Sequence, residues 1–154
     1  MGVEIERKFL VRNNDWKTAA TGSYLKQGYI SSTPGKIVRV RIEGDTATLT
    51  IKGLSTGLTC GEWNYSIPLT EAQELLETVC QQPLIEKTRY RLPMGDLTWE
   101  IDEFLGVNAG LVVAEIELPS EEFLFDRPEW LGEDVSHDRR YANANLLAHP
   151  FKDW

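Results

Sequence analysis

The segment Val3-Glu4-Ile5-Glu6-Arg7-Lys8-Phe9 decides how the chain folds. Side chains in a β-strand alternate between its two faces, so Glu4, Glu6 and Lys8 share one face and the apolar residues share the other. Arg7 lies on the apolar side and is expected to point away from the charged set. Two carboxylates and an ammonium group side by side are ordinary in water, but they are unusual inside a cavity. The rest of the sequence decides between these two destinations.

Seven further stretches read as strands, several with the same alternation. With the first strand, the predicted bounds are Val3–Arg12, Tyr24–Ile30, Ile37–Glu43, Thr46–Ile51, Glu62–Ile67, Leu84–Leu92, Leu97–Phe104 and Leu111–Leu118. Gly44-Asp45 is a two-residue hairpin signal between the third and fourth strands. The Gly- and Thr-rich stretch Gly53–Gly61 predicts a flexible loop.

Helices are few in this sequence. It predicts short helices at Asp15–Ala20, Glu71–Cys80, Ser120–Phe125 and Ala142–Ala148, with Thr70 as the cap of the second. The last helix is expected to cover one end of the sheet structure. Many antiparallel strands with few helices indicate an α+β fold built on a closed or strongly curved sheet. Periodicity alone does not separate a barrel from a sandwich.

Charged residues recur on one face of most strands, and they sort by sign. The acidic positions are Glu4, Glu6, Glu62, Glu100, Asp102, Glu115 and Glu117, and the basic ones are Lys8, Arg39, Arg41, Lys52, Lys87, Arg89 and Arg91. A two-layer protein would turn such faces to water, which is common in antiparallel sheets. The sorting by strand and the heavy use of arginine, which binds phosphate or carboxylate with two parallel hydrogen bonds, favour an inward destination.

A closed barrel gives these charges a ligand to bind. An eight-stranded barrel encloses a narrow lumen, in which each unpaired charge costs several kcal/mol. A polyanion would satisfy the lysines and arginines, and divalent cations would satisfy the carboxylates. Oxygen ligands without histidine or cysteine suit Mg²⁺ or Mn²⁺. The pattern therefore predicts a metal-complexed oligophosphate as the ligand.

Size and composition exclude several classes of protein. The 154 residues fit one domain, and a net charge of −8 argues against nucleic acid or an anionic membrane as a partner. No apolar run reaches the roughly 18 residues of a membrane span, and no signal-like segment precedes Glu4. Cys60 and Cys80 are expected to be free thiols in a cytoplasmic protein. A homodimer is compatible with the sequence.

An ordered set of motifs begins with Glu4-x-Glu6-x-Lys8 and runs along nearly the whole chain. Its other members are Gln27-Gly28-Tyr29, Arg39-Val40-Arg41, Thr50-Ile51-Lys52, Glu86-Lys87-Thr88-Arg89-Tyr90, Glu100-Ile101-Asp102, Glu115-Ile116-Glu117 and Asp138-Arg139-Arg140-Tyr141-Ala142-Asn143. This set resembles the CYTH family, the triphosphate tunnel metalloenzymes. The resemblance implies a closed eight-stranded antiparallel β-barrel that forms a tunnel, with a few helices packed outside. Glu62-Trp63-Asn64 departs from the Glu-x-Glu that relatives often carry, which puts a metal or water-orienting role for position 64 in question.

The resemblance also implies a role for each charged position. Candidates for binding phosphate are Lys8, Arg39, Arg41, Lys52, Lys87 and Arg89, and candidates for binding metal are Glu4, Glu6, Asp102, Glu115 and Glu117. Asp102 is assigned to a second metal that lowers the pKa of a water. The expected catalytic set is Glu4, Glu6, Lys8, Asp102 and Glu117, with Tyr29, Glu62 and Glu100 supporting it.

The implied chemistry is hydrolysis of, or nucleotidyl transfer on, a small-molecule triphosphate with Mg²⁺ or Mn²⁺. Hydrolysis of inorganic triphosphate to pyrophosphate and orthophosphate is favoured, because the short loops leave no evident pocket for a base or a thiazole ring. The enzymatic alternatives are a class IV type adenylate cyclase and a thiamine or nucleoside triphosphatase. The non-enzymatic alternative is a polyphosphate- or nucleotide-binding module, for which Asn64 is the support.

Overall fold

The computed structural model describes residues 2–154, most of which form one antiparallel sheet. Its first eight strands are β1 (Gly2–Val11), β2 (Thr21–Thr33), β3 (Lys36–Glu43), β4 (Thr46–Thr56), β5 (Thr59–Ser66), β6 (Ile85–Met94), β7 (Leu97–Phe104) and β8 (Val112–Glu117). They follow the order β5-β4-β3-β2-β6-β7-β8-β1, and β1 pairs again with β5. The sheet therefore closes on itself, which confirms the predicted eight-stranded antiparallel barrel.

A ninth strand, β9 (Leu131–Asp134), lies outside the barrel and was not predicted. β1 pairs with β5 at Gly2–Ile5 and with β9 at Phe9 and Val11. One edge of β1 is therefore covered by two separate segments of the chain. β9 has four residues and no alternation of apolar and polar side chains, so the period-two pattern gives no sign of it.

The predicted loop Gly53–Gly61 is wrong, because both neighbouring strands continue through it. β4 runs to Thr56 and β5 begins at Thr59, which leaves a two-residue turn at Gly57-Leu58. Gly57 has a φ of 61°, a value that favours glycine and that two-residue hairpin turns require. This hairpin is part of the barrel wall.

Within the described chain one α-helix occurs, α1 (Leu69–Thr78), close to the predicted Glu71–Cys80. Its N-cap is Pro68, which has extended backbone angles, and no side chain caps the helix. The prediction that Thr70 is the cap is wrong, because the helix starts one residue before Thr70. The apolar side of α1 packs on the outer face of β3 and β4.

Two other predicted helices are wrong. Asp15–Ala20 forms turns, because so short a segment is a poor helix nucleus and the Trp16 indole donates to the carbonyl of Asn13 at 2.9 Å. Ser120–Phe125 is irregular. There the Glu121 carboxylate accepts hydrogen bonds from the β4–β5 hairpin, which ties the segment to the barrel and not to a helix.

The predicted helix Ala142–Ala148 is replaced by short 3₁₀ turns. The 3₁₀ turns of the chain are Gly106–Asn108, Arg139–Tyr141, Asn143–Leu146 and Phe151–Asp153. Asparagine competes with helical backbone bonds, and the Asn145 side chain donates to the carbonyl of Arg139 at 2.8 Å. Leu146 is fully buried in an apolar cluster at one end of the barrel.

Apolar residues cover the outside of the barrel and one of its ends. Phe9, Trp99 and Trp130 form the centre of one cluster on the outer wall, with the rings of Phe9 and Trp99 edge to face at 5.8 Å. A second cluster lies under α1, and the third closes the end beside Leu146. Burial of these outer faces leaves the lumen to polar side chains. No helix within residues 2–154 is long and apolar enough to span a membrane.

Candidate active site

The barrel lumen is a polar cavity of about 520 Å³. Its wall carries seven basic side chains and seven carboxylates, namely Lys8, Arg39, Arg41, Lys52, Lys87, Arg89, Arg91, Glu4, Glu6, Glu43, Glu62, Glu100, Glu115 and Glu117. Every site residue predicted from the sequence lines this cavity except Asp102. Arg7 lies outside, over the ring of Phe9 and paired with Asp134 of β9, as the alternation predicted.

Carboxylates oppose one another on the wall formed by β1, β7 and β8. The register places Glu6 across from Glu117 and Glu100 across from Glu115. Like charges directly opposite each other are destabilising. Burial and the charges of Glu115 and Glu4 raise the pKa of Glu6 well above its usual value, and burial also raises the pKa of Glu117. This acidic wall therefore favours a bound cation.

Glu4 continues the acidic wall toward β5. Burial raises the pKa of Glu4 to about 7, although Lys52 lies only 3.1 Å away. Lys52 also pairs with Glu62 at 3.6 Å. Burial opposes ionisation of Glu62 too, but hydrogen bonds from Glu4 and Asn64 and the charge of Lys52 outweigh it and lower the pKa of Glu62 to about 2. Lys52 thus pairs with two carboxylates, Glu4 and Glu62, whose pKa values differ widely.

Asn64, the residue that departs from the Glu-x-Glu pattern, belongs to a short polar chain on β4 and β5. Its amide nitrogen donates to Glu62 and its amide oxygen accepts from the Thr50 hydroxyl, both at 2.7 Å. Thr50 in turn accepts from Arg39 at 3.2 Å. The asparagine therefore links a carboxylate to a guanidinium group.

Asp102 lies fully buried behind the cavity wall. One carboxylate oxygen accepts from Arg89 Nε at 2.8 Å, and the other accepts from Arg89 Nη2 at 2.9 Å and lies 2.7 Å from Lys87 Nζ. Burial alone would raise its pKa, but the two cations outweigh burial and lower it. Both oxygens are engaged, so this arrangement favours a role in fixing two cations over the predicted role in holding a metal.

The basic wall is formed mainly by β3 and β6. Burial lowers the pKa of Lys87 to about 7 against the attraction of Asp102, and burial with the charges of Arg39 and Arg89 lowers the pKa of Arg41 to about 10. Arg39 Nε is buried, and no residue of the described chain accepts a hydrogen bond from it. A bound polyanion would supply the missing charge and the missing acceptor.

Lys8 joins the acidic wall to the C-terminal segment. Its ammonium lies 3.7 Å from Glu115 and donates to the carbonyl of Tyr141 at 3.2 Å. Burial opposes ionisation of Glu115, but Lys8 and the cations of β6 lower its pKa to about 2. Ala142 and its two successors form part of the cavity wall, so the C-terminal segment lines the lumen here, although not as a helix.

Two amides and one ion pair at the cavity were not assigned a role from the sequence; Gln27 is fully buried behind the wall, whereas Asn143, Arg91 and Glu43 line it. Gln27 accepts from Arg41 at 2.9 Å, and Asn143 accepts from Lys87 at 2.7 Å. Arg91 binds Glu43 through two hydrogen bonds of 2.7 and 3.0 Å, in a half-exposed part of the cavity. Arg91 and Glu43 share the phase of their strands' other charges, and the two amides lie in the quoted motifs. The strand alternation and the motifs therefore pointed to all four residues as candidates for the site.

No preformed metal site is present among residues 2–154, in the sense that no three acidic, histidine or cysteine side chains converge as ligands. The carboxylates stand in opposed pairs, and all cavity donors of this kind except Cys60 are oxygen atoms. Such pairs bind cations that keep water or ligand oxygens in their coordination shell, as Mg²⁺ does.

The chain is similar to several known proteins over nearly its whole length. A family model described as the CYTH domain matches residues 2–148. A protein of Acetivibrio thermocellus named inorganic triphosphatase is 49% identical over 154 residues, which are 100% of this chain and 99% of that protein. A protein of the same name from Nitrosomonas europaea is 38% identical over 149 residues, which are 93% of this chain and 95% of that protein. A crystal structure of an inorganic triphosphatase matches with a TM-score of 0.64 and 32% identity, over 96% of this chain and 95% of that one.

Proposed function

The chain belongs to the CYTH domain family, and from this premise we propose that it hydrolyses inorganic triphosphate to pyrophosphate and orthophosphate with a divalent cation. Two relatives that match nearly its whole length are named inorganic triphosphatase. The observation that carries the proposal is the division of the barrel cavity into a basic wall and an acidic wall of opposed carboxylates. A polyanion complexed with a cation complements both walls at once.

The cation is Mg²⁺ or Mn²⁺, held by the acidic wall. CYTH triphosphatases depend on a divalent metal, and the candidate ligands here are Glu4, Glu6, Glu115 and Glu117. The raised pKa values of Glu4 and Glu6 fit this role, because a nearby cation removes the cost of ionising them. The bound metal would neutralise phosphate charge and lower the pKa of a coordinated water.

The basic wall binds the phosphate oxygens. Its members are Lys8, Arg39, Arg41, Lys52, Lys87 and Arg89. Phosphoryl transfer depends mainly on positioning and on neutralising charge on the transferred group, and these cations supply both. Asp102 keeps Lys87 and Arg89 in place, Glu62 holds Lys52, and Glu100 accepts from Arg89 at 3.2 Å. Tyr29, which accepts from Gln27 at 3.1 Å, forms part of the wall.

In the reaction, a water oxygen bonds to the terminal phosphorus while the bond from that phosphorus to the bridging oxygen breaks. The bridging oxygen leaves with pyrophosphate, the water oxygen is released in orthophosphate, and the proton that the water loses passes to the solvent. Negative charge that develops on the leaving group is stabilised by the lysines and arginines of the basic wall. The cavity holds these groups rigidly because they sit on paired strands and not on loops.

One incubation tests this function against its alternatives. The purified protein is mixed with Mg²⁺ or Mn²⁺ and, in turn, inorganic triphosphate, ATP, thiamine triphosphate and long polyphosphate, and orthophosphate, pyrophosphate and cyclic nucleotide are measured. We expect fastest turnover of inorganic triphosphate. Cyclic nucleotide from ATP would indicate a cyclase, and tight binding without any product would indicate a binding module.

A matched pair of variants tests the metal assignment in the same assay. Glu6→Gln is expected to abolish metal-dependent turnover, whereas Glu133→Gln, an exposed position on β9 outside the cavity, keeps it. Wild-type turnover by Glu6→Gln would rule out this carboxylate as a metal ligand.

Two further proposals concern the cellular compartment and the oligomeric state of the enzyme. We infer a reducing compartment, the cytoplasm, because Cys60 and Cys80 are both free and buried. Fractionation of cells with an antibody against the protein tests this. The homodimer stays a prediction, and the molar mass in solution from light scattering decides it.

A further inference from the structure

The C-terminal segment places an amide side chain, Asn143, in the wall of the cavity. Its oxygen Oδ1 accepts a hydrogen bond from Lys87 Nζ at 2.7 Å and another from Gln27 Nε2 at 3.3 Å. Asn143 thus connects the C-terminal segment to β6 and to β2. The triphosphatase roles assigned above leave this residue without a function.

The orientation of this amide is fixed by its neighbours. A lysine ammonium only donates hydrogen bonds, so the Asn143 atom that faces Lys87 must be the oxygen. The Gln27 amide is fixed in the same way, because Arg41 Nε donates to Gln27 Oε1 at 2.9 Å and an arginine also only donates. Gln27 therefore turns its nitrogen toward Asn143 Oδ1 and the Tyr29 hydroxyl. Lys87 thus fixes the orientation of the Asn143 amide, and Arg41 fixes that of the Gln27 amide.

This orientation leaves the Asn143 nitrogen as a donor beside the lumen. No residue in the described part of the chain accepts a hydrogen bond from Nδ2, and the neighbours Ala142 and Ala144 line the same wall. The side chain is partly exposed, and Nδ2 is not among the fully buried donors of the described chain, so it faces the solvent of the lumen. A ligand that brings negatively charged oxygens into the cavity would accept from it a stronger, charge-assisted hydrogen bond than water does.

We propose that Asn143 binds the substrate directly, with Nδ2 donating to a phosphate oxygen of triphosphate while Oδ1 holds the Lys87 ammonium. This inference rests on the proposed triphosphatase function and adds a substrate contact to it. It makes the C-terminal segment part of the phosphate site and not only a cover over one end. The same residue then meets the substrate and positions one of the basic groups.

The first test measures binding without turnover. Inorganic triphosphate is titrated by calorimetry into the full-length protein in EDTA. Asn143→Ala is expected to bind about 10- to 100-fold more weakly, as is typical for the loss of a hydrogen bond to a charged group. Asn145→Ala is the control on the same segment: its side chain is exposed and bonds to the carbonyl of Arg139, and we expect a change below about twofold.

A double-mutant cycle separates direct contact from an effect through Lys87. The Asn143→Ala substitution is repeated in a Lys87→Gln background. A direct contact still costs affinity there, although by a smaller factor. If the effect disappears in that background, Asn143 acts only by holding Lys87, and the inference is overturned. Unchanged affinity of Asn143→Ala itself overturns it as well.

Side-chain amide NMR provides a readout that needs no second cavity variant. The Asn143 amide signals are assigned by their disappearance in Asn143→Ala, and triphosphate is then added to the wild type. We expect the Asn143 amide protons to shift downfield while those of Asn145 stay in place. No shift at saturating triphosphate would contradict the contact.

These outcomes remain distinct from those of the triphosphatase assay. A wild type that binds triphosphate and shows the Asn143 effects without releasing orthophosphate would refute the proposed function and leave the contact standing. A wild type that hydrolyses triphosphate while Asn143→Ala binds it normally would do the opposite. Absence of triphosphate binding by the wild type would overturn both.

Discussion

Replacement of Glu4 by glutamine is expected to stabilise the metal-free protein at alkaline pH. The folded state raises the pKa of Glu4 from 4.5 to about 7, so this carboxylate ionises less readily in the cavity than in the unfolded chain. At a pH below the pKa that Glu4 has in the unfolded chain, the carboxyl is protonated in both states and does not lower the stability of the fold. As the pH rises toward 7 and beyond, the unfolded state ionises first and gains stability relative to the folded one.

The magnitude follows from the size of the shift. About 1.4 kcal/mol for each pKa unit gives a cost of about 3 kcal/mol near pH 8 and under about 1 kcal/mol near pH 5. Glutamine has the same shape and no charge, so Glu4→Gln removes this cost. Lys52 does not lose its counter-charge, because Glu62 remains 3.6 Å away. The variant should therefore be more stable than wild type by about 2–3 kcal/mol near pH 8.

Urea unfolding in EDTA, followed by tryptophan fluorescence, measures the difference. With a urea m-value of about 2 kcal/mol/M, the midpoint of Glu4→Gln should exceed that of wild type by about 1 M near pH 8 and by much less near pH 5. Glu74→Gln, on the exposed side of α1, is the control that should match wild type. A midpoint difference that does not grow with pH, or a less stable Glu4→Gln, would refute the reasoning.

The same titration with Mg²⁺ or Mn²⁺ should narrow the difference between the two proteins. Wild type gains stability by binding the cation, about 2.7 kcal/mol at a hundredfold excess over the dissociation constant. Glu4→Gln lacks one proposed ligand and should gain less. Equal gains in both proteins would place the cation elsewhere.

Three further predictions use simple assays. Asp102→Asn should lower the free energy of unfolding by about 3–5 kcal/mol, because it removes the buried counter-charge of Lys87; a loss below about 1 kcal/mol in urea titration would contradict this. Glu43→Gln breaks the half-exposed pair with Arg91 and should cost less than about 1 kcal/mol in the same titration, and a larger loss would show that this pair is structural. Triphosphate binding near pH 8 should take up a proton, because the polyanion recharges Lys87, whose pKa is about 7. Calorimetry in two buffers of different ionisation enthalpy measures the uptake, and equal uptake by Lys87→Gln would exclude this group.

The barrel and most of its lining were predictable because strand alternation has a strict period. A strand that places Glu4 inside must also place Glu6 and Lys8 inside. Once the charged face of a strand is known to point into the barrel, the positions of all its charged side chains follow. The same rule placed Arg39 and Arg41 together on β3. The closed sheet became the better choice because the charges sorted by strand.

The sequence was less informative where tertiary contacts decide local structure. Trp16 is held in a turn by its hydrogen bond to the Asn13 carbonyl, and Glu121 is held by its hydrogen bonds to the β4–β5 hairpin. Neither contact produces a repeating pattern of apolar residues in the sequence. Propensity alone therefore overestimated helix. Asp102 illustrates the limit for the site: alternation gives its face but not its depth, and at its depth the carboxylate pairs with Lys87 and Arg89.

The pairing of β1 also has a consequence for how the protein is made. β1 leaves the ribosome before all of its partners, which are β5, β8 and β9, and β8 begins only at Val112. Pairs so distant in sequence pay a large loop-closure entropy and form slowly. The N-terminal strand must therefore wait, with its edges free, until most of the chain has been synthesised. The carboxylates of Glu4 and Glu6 help to keep that waiting strand in solution, because charged edges resist pairing with other chains.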